Sequence, residues 1–129
     1  MQSDTSIIFA RCHEQHFAVS RVNPHTQACE DIVPPCIDRR YADFAPHPSD
    51  SSLILAVEEE HAPKDVYNRL VCLSESRVHT LHQGHSFYAY PRISSCGSFV
   101  AWVTWDHPSM PFWSSQLWVA SLLREPVPR

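Results

Sequence analysis

Apolar residues along this chain fall in short, unbroken runs rather than on a helical stripe. Leu53-Ile54-Leu55-Ala56-Val57 is one run, Phe99-Val100-Ala101-Trp102-Val103-Thr104-Trp105 a second and Leu117-Trp118-Val119-Ala120 a third. Each is too short for a stable helix of its own and is flanked by Ser, Gln or charged residues. Such runs predict strands covered on both faces, because a strand buried on both sides loses its in/out alternation. Residues 7–10 and 16–22 read the same way, the second ending in a turn at Asn23-Pro24. Residues 30–33 and 78–81 predict weaker outer strands, and 87–93 an inner strand entered through Gln83-Gly84.

The runs recur. FAPHPSDSSLILAVEEEHAP, beginning at Phe44, lies without a gap over YPRISSCGSFVAWVTWDHPS, beginning at Tyr90. Ser49 then falls on Ser95, Ser52 on Ser98, Val57 on Val103 and His61 on His107. After one inserted residue RLVCL meets QLWVA, with Leu70 on Leu117. The repeating unit is strand, Ser-rich turn, apolar strand, loop with His, apolar strand. A repeat of four antiparallel strands every ~40–50 residues is the signature of a propeller blade. The expectation is an all-β chain, a partial β-propeller of about two and a half four-stranded antiparallel blades. Its parts are the tail of one blade at 7–33, a full blade at 39–82 and most of a further blade at 86–122. The competing reading is a β-sandwich with a coincidental repeat.

Composition narrows the function classes. The chain has 129 residues, 43% of them hydrophobic, which suits one ordinary globular domain and not a disordered chain. The formal charge of -4 and the lack of a basic patch argue against nucleic-acid binding. No stretch approaches the roughly 20 apolar residues that span a bilayer. Five cysteines without a C-x-x-C, and no signal-peptide pattern, predict free thiols in the cytoplasm. With 11 Pro and only 2 Gly, turns must rely on Ser, Asp, Asn and Pro.

RRYADFAPHPSDSSLILAVEEEH, SFYAYPRISSCGSFVAWVTWDHPSMPF and QLWVASL together resemble the propeller domain of prolyl oligopeptidase-family serine peptidases, in the dipeptidyl aminopeptidase and acylaminoacyl-peptidase branch. That family writes a blade as an S-P-D-G-like turn, an apolar strand with A-W, then W-D-H-P-x-M-P-W and L-W-V-A. Ser94-Ser95-Cys96-Gly97 stands for the turn, Ala101-Trp102 for A-W, and Trp105-Asp106-His107-Pro108-Ser109-Met110-Pro111 for the most specific element. Phe112-Trp113 occupies the place of one Trp. Two departures stand out: Pro48-Ser49-Asp50-Ser51 lacks the Gly of the turn, and nothing in these residues corresponds to the α/β-hydrolase domain that follows the propeller in the family.

Candidate chemistry is sparse. Gly84-His85-Ser86-Phe87-Tyr88 half-matches the G-x-S-x-G nucleophile elbow, but lacks the second Gly and precedes a predicted strand, so a blade-to-blade turn is expected. His79, His82 and His85 have ligand-like spacing, yet i and i+3 point to opposite faces of a strand. These, like Cys12 and His16, are expected to be solvated turn residues, with no metal bound. Asp106 and His107 are neighbours that cannot easily face one another. Trp105, Asp106, His107, Pro108, Met110 and Pro111 are read as a structural loop, Asp106 accepting backbone N–H groups and Met110, Phe112 and Trp113 packing onto neighbouring blades. The resemblance implies that propeller carboxylates can hold a substrate's amino terminus, which makes Glu58, Glu59 and Glu60 weak substrate-binding candidates. Their plain reading is a solvated strand end.

The functional expectation is a non-catalytic propeller segment of a prolyl oligopeptidase-like peptidase, without catalytic residues or cofactor. In the full-length family the segment caps the α/β-hydrolase domain, its expected partner, and restricts access to short peptides. Blade faces left without a neighbour predict self-association or marginal stability. A propeller-type interaction module with no peptidase parent is the alternative, and a His/Cys metal-binding protein a weaker third.

Overall fold

A computed structural model of the chain describes residues 5–74 and 76–122. It is all-β, as expected: the described residues form ten strands and no helix. In chain order these are β1 Ile7–His13, β2 His16–Val22, β3 Cys29–Cys36, β4 Arg39–Pro46, β5 Leu53–His61, β6 Val66–Ser74, β7 Arg77–His82, β8 Phe87–Ile93, β9 Phe99–Trp105 and β10 Gln116–Ser121. They make three antiparallel meanders, β1-β2-β3, β4-β5-β6-β7 and β8-β9-β10, with no crossover within a sheet. Ten strands at four to a blade are the two and a half blades of a partial propeller.

Of the three apolar runs, 99–105 and 117–120 lie in β9 and β10 of the third sheet, while 53–57 lies in β5 of the middle sheet, which is covered on both sides. On one side Tyr41, Ile54, Ala56, Val71 and Leu73 pack against Val19 and Val33 of the first sheet. On the other, Ala45, Leu55, Leu70 and Cys72 pack against Tyr88, Val100 and Trp102 of the third. Alternate residues of one strand thus feed two different cores, which is why β5 reads as a solid apolar run. Arg40 also lies over the Phe17 ring, 4.4 Å from its centroid, tying the first sheet to the second.

The repeat holds in three dimensions with one correction. Val57 pairs with Leu70, and Val103 with Leu117, so those positions are equivalent as read from the sequence. In the inner strands, however, Ala42 pairs with Val57 and Ala89 with Val103. Ala42 therefore matches Ala89, and Phe44 matches Pro91 rather than Tyr90. The gapless alignment slips by one residue across the first turn of the unit. The true twins are Asp43 and Tyr90, which sit in a bulge with left-handed φ of 59° and 56°. They also touch: the Tyr90 amide donates to Asp43 Oδ2 at 2.6 Å, linking consecutive inner strands.

The two Ser-rich turns are linked as well. His47, 9% exposed, donates from Nε2 to the Gly97 carbonyl at 3.0 Å and accepts the Ser49 amide at Nδ1. Gly97 has φ +76°, and a Cβ there would lie 2.5 Å from the His47 ring. Conformation and space both require glycine at this turn.

Candidate functional site

The loops at one end of the middle and third sheets enclose an open groove of about 1130 Å³. Its walls are the end of β5 with Glu59, the β5–β6 turn with Asp65, the start of β6 with Tyr67 and Asn68, and the β7–β8 turn with His85 and Ser86; Asp106 and His107 close one side. Behind it lies the acidic end of β5, where the three glutamates separate.

Glu58 is not solvated, contrary to the expectation for a strand end: it is 2% exposed. Cross-strand register puts Tyr41 and Arg69 on either side of it, and Arg39 opposite Glu60. Tyr41 donates to Glu58 Oε2 at 2.9 Å. Arg69 Nη1 donates to Glu58 Oε1 at 3.1 Å and to Glu60 Oε2 at 2.6 Å. Arg39 adds contacts of 3.7 and 3.9 Å to the same two carboxylates. Two guanidinium groups thus face two carboxylates, and the pairing offsets the cost of burying the Glu58 charge. Burial pushes the Tyr41 hydroxyl well above its ordinary range, and the Glu58 carboxylate pushes it further. The hydrogen bond from Arg69 to Glu60, followed by that to Glu58, holds the guanidinium above its usual value despite burial. Glu59 points to the opposite face, where it pairs with His61 and lines the groove.

Asp106 and His107 do not face one another. Asp106 accepts from His85 Nδ1 at 2.8 Å and from the Ser86 amide at 2.7 Å, while the His107 amide donates to Ser86 Oγ at 3.3 Å. The bond from His85, then that from Ser86, lowers the Asp106 pKa. These bonds clip the end of β9 to the β7–β8 turn. Ser86 leads into the strand β8, where a nucleophile elbow needs a helix. Asn68 holds the Ser86 carbonyl at 2.8 Å, so the turn is pinned from both sides. Trp105 stacks on Phe87 at 5.3 Å, and His107 meets the same ring edge-on at 4.6 Å.

The histidine triplet is divided. His79 is exposed on β7. His82 is not a solvated turn residue. It packs 4.6 Å from Trp118 and 5.2 Å from Trp102, stacks on His85 at 5.8 Å, and lies 2.9 Å through Nδ1 from the Tyr88 hydroxyl. Burial, and secondarily His85, lower its pKa. Cys12 is exposed and His16 contacts only the Glu14 carbonyl among the bonds described. Among the described residues no group of three His, Cys, Asp or Glu is placed to hold a metal. The aromatic loop corrects a further expectation: Met110, Phe112 and Trp113 do not pack onto a blade but are 47%, 74% and 73% exposed. Phe112 and Trp113 touch each other edge-on at 5.4 Å.

Sequence reading alone missed Arg39, Tyr41, Arg69 and the His85–Asp106 pair. A usable signal existed for Arg69 alone, since Arg39 and Tyr41 lie beyond the register shift of β4. Centring a hairpin on residues 62–65 sets Glu58 opposite Arg69. The His85–Asp106 contact extends the β8–β9 pairing one step past Phe87 and Trp105, at a strand end that the sequence alone does not set.

No protein-family model matches the chain, and no curated protein matches it significantly. Solved structures do. A puromycin-hydrolysing peptidase of Mycobacterium tuberculosis is 26% identical with a TM-score of 0.77, covering 92% of this chain and 20% of its own. A puromycin hydrolase mutant complexed with PGG is 23% identical with a TM-score of 0.74, over 95% of this chain and 21% of its own. TolB from Acinetobacter baumannii shares the fold at 14% identity and a TM-score of 0.60, over 91% of this chain and 27% of its own. The chain thus spans about a fifth of the length of the peptidases it matches. The likeness to the propeller of prolyl oligopeptidase-family peptidases, drawn from the blade motifs, holds in three dimensions.

Proposed function

We propose that the chain is a non-catalytic propeller segment of a prolyl oligopeptidase-like serine peptidase, its blades bounded at 7–33, 39–82 and 86–122. Its role is to cap an α/β-hydrolase domain and limit access to short peptides. The carrying observation is the match of 92% of this chain, at 26% identity, to one fifth of a puromycin-hydrolysing peptidase. The groove supports the reading in one detail. Of the three candidate carboxylates only Glu59 lines it, since Glu58 and Glu60 are neutralised by Arg39 and Arg69. Glu59 is therefore the carboxylate suited to a substrate ammonium, with the loop from Trp105 to Pro111 as a structural wall. All five cysteines are unpaired, which fits a reducing cytoplasm.

The test mixes the pure chain with a separately produced hydrolase domain of a similar peptidase and follows cleavage of short and long peptides. The chain alone should hydrolyse neither. It should co-elute with the hydrolase domain and suppress cleavage of the long peptide more than that of the short one. Hydrolysis by the chain alone, or no association with the hydrolase domain, overturns the reading.

A further inference from the structure

We infer that His82 is an acid-sensitive latch: neutral, it fastens the outer strand of the middle sheet to the third sheet, and charged, it releases the β7–β8 turn that walls the groove. The apolar core between these two sheets draws on β4, β5 and β6 of the middle sheet but on no residue of β7. What β7 presents there is the His82 ring, 4.6 Å from Trp118, 5.2 Å from Trp102 and 5.7 Å from Tyr88. Trp102 and Trp118 are themselves stacked at 6.1 Å, and Trp118 Nε1 donates to the Thr104 hydroxyl at 2.9 Å. The His82 ring thus enters a fixed aromatic seat on the third sheet. On its other side lies the His85 ring, 5.8 Å away and within 12° of parallel.

Two features suit this seat to a neutral imidazole. The first is the hydroxyl of the buried Tyr88. Its oxygen takes a hydrogen bond from the His85 backbone, which leaves its proton to donate to His82 Nδ1 at 2.9 Å. A charged imidazole is a donor at both nitrogens, so a proton on Nδ1 meets the hydroxyl proton head-on. The second is charge. Around His82, β6 places Leu70 across the register, β8 the Tyr88 hydroxyl, β9 Trp102, β10 Trp118 and the β7–β8 turn His85. Arg69 of β6 reaches Gln83, the next residue, at 3.0 Å. Asp106 is engaged 2.8 Å from His85 Nδ1. A proton on His85 therefore has a carboxylate beside it, whereas one on His82 faces a stacked imidazole and no bonded acid among the described residues. Burial first, and His85 second, lower the His82 pKa accordingly. The released form then takes the proton first, so the latch is fully fastened above about 6.5 and loosens as pH falls below it. Gln83, Gly84, His85 and Ser86 line the groove, so release moves its wall. The inference goes beyond the peptidase reading and does not depend on it.

Amide hydrogen exchange of the full chain at about pH 7.5 and about pH 5, corrected for intrinsic exchange rates, tests it. Protection of the turn amides 83–86 should fall at least about fivefold at the lower pH, within the limit of about tenfold per pH unit below 6.5 that one proton allows. The turn should stay less protected than β5 at both values, which marks local release rather than unfolding. His82→Gln, uncharged throughout, should abolish the fall. Tyr88→Phe removes the proton facing Nδ1, and His85→Gln the stacked ring; each should move the midpoint of the loss to higher pH. Should His82→Gln loosen the turn already at the higher pH, those two midpoints decide the question. Turn protection independent of pH, protection equal to that of β5, an undiminished fall in His82→Gln, or midpoints unmoved in both other variants overturns the proposal. So does a wild-type midpoint above the ordinary histidine value, which attraction of a charged His82 to Trp118 would give.

Discussion

Leu70 and Leu117 occupy the same place in two copies of one structural unit, yet the first is fully buried and the second 73% exposed. The strands around them have the same pairing and the same bulge on the inner strand. What differs is the neighbour: among the described residues the middle sheet has one on each face, the third sheet on one face only. In a stacked-repeat architecture the unit specifies its own hydrogen bonds, while the adjacent unit supplies the burial. Stability in this molecule should therefore be concentrated in β5 and β6 and decline toward both ends.

Four experiments break or sharpen this comparison. The largest effect is expected from Leu70→Ala, which opens a cavity between two sheets and should cost about 4 kcal/mol in urea unfolding. Leu117→Ala, measured where the chain is monomeric, should change stability by less than about 0.5 kcal/mol. Equal losses would show that the two units are covered alike.

Next comes Glu58→Gln, which leaves Arg39 and Arg69 with one carboxylate instead of two behind a buried strand end. A loss of about 3 kcal/mol is expected. Glu59→Gln, on the groove side, should be nearly neutral for stability. A third test lies in the turns. Gly97→Ala forces a side chain into a left-handed position against His47 and should cost about 2 kcal/mol. Ser51→Ala, in the first turn, should cost little, because Ser51 has no left-handed φ to lose.

The smallest effect concerns pH. His82 has a lowered pKa in the folded chain, through burial first and His85 second. The unfolded chain then binds a proton first as pH falls. Stability should be fully present above the ordinary histidine value of about 6.5 and decline below it. His82→Gln should flatten that part of the stability profile. An unchanged profile in the His82 variant would remove His82 from the packed contact between sheets.

The unbroken apolar runs were enough to place β5, β9 and β10, but the double-sided burial they predict is found in β5 alone; β9 is buried on alternate residues and β10 is largely exposed among the described residues. The repeat likewise exposed the equivalence of Leu70 and Leu117. What escaped was whatever depended on a second strand. The one-residue slip between the inner strands is invisible because neither Asp43 nor Tyr90 advertises a left-handed bulge as glycine would. Glu58 looks like a solvent-exposed acid until Tyr41 and Arg69 arrive from the flanking strands. The aromatic loop erred in the other direction: Phe112 and Trp113 look like core residues, but they are mostly exposed and meet each other edge-on. Of the candidate site, the glutamates and Asp106 were legible as residues of interest. Their partners were not, since those come from other sheets or other strands.

The central claim is that the described residues form a fan of repeated sheets in which, among them, the middle one alone is enclosed on both faces. Native-state amide hydrogen exchange tests this most directly, strand by strand. The slowest amides should lie in β5 and β6, with faster exchange at the outer edges of β1 and β10. Exchange in β10 as slow as in β6, or uniform protection across all ten strands, would contradict the claim.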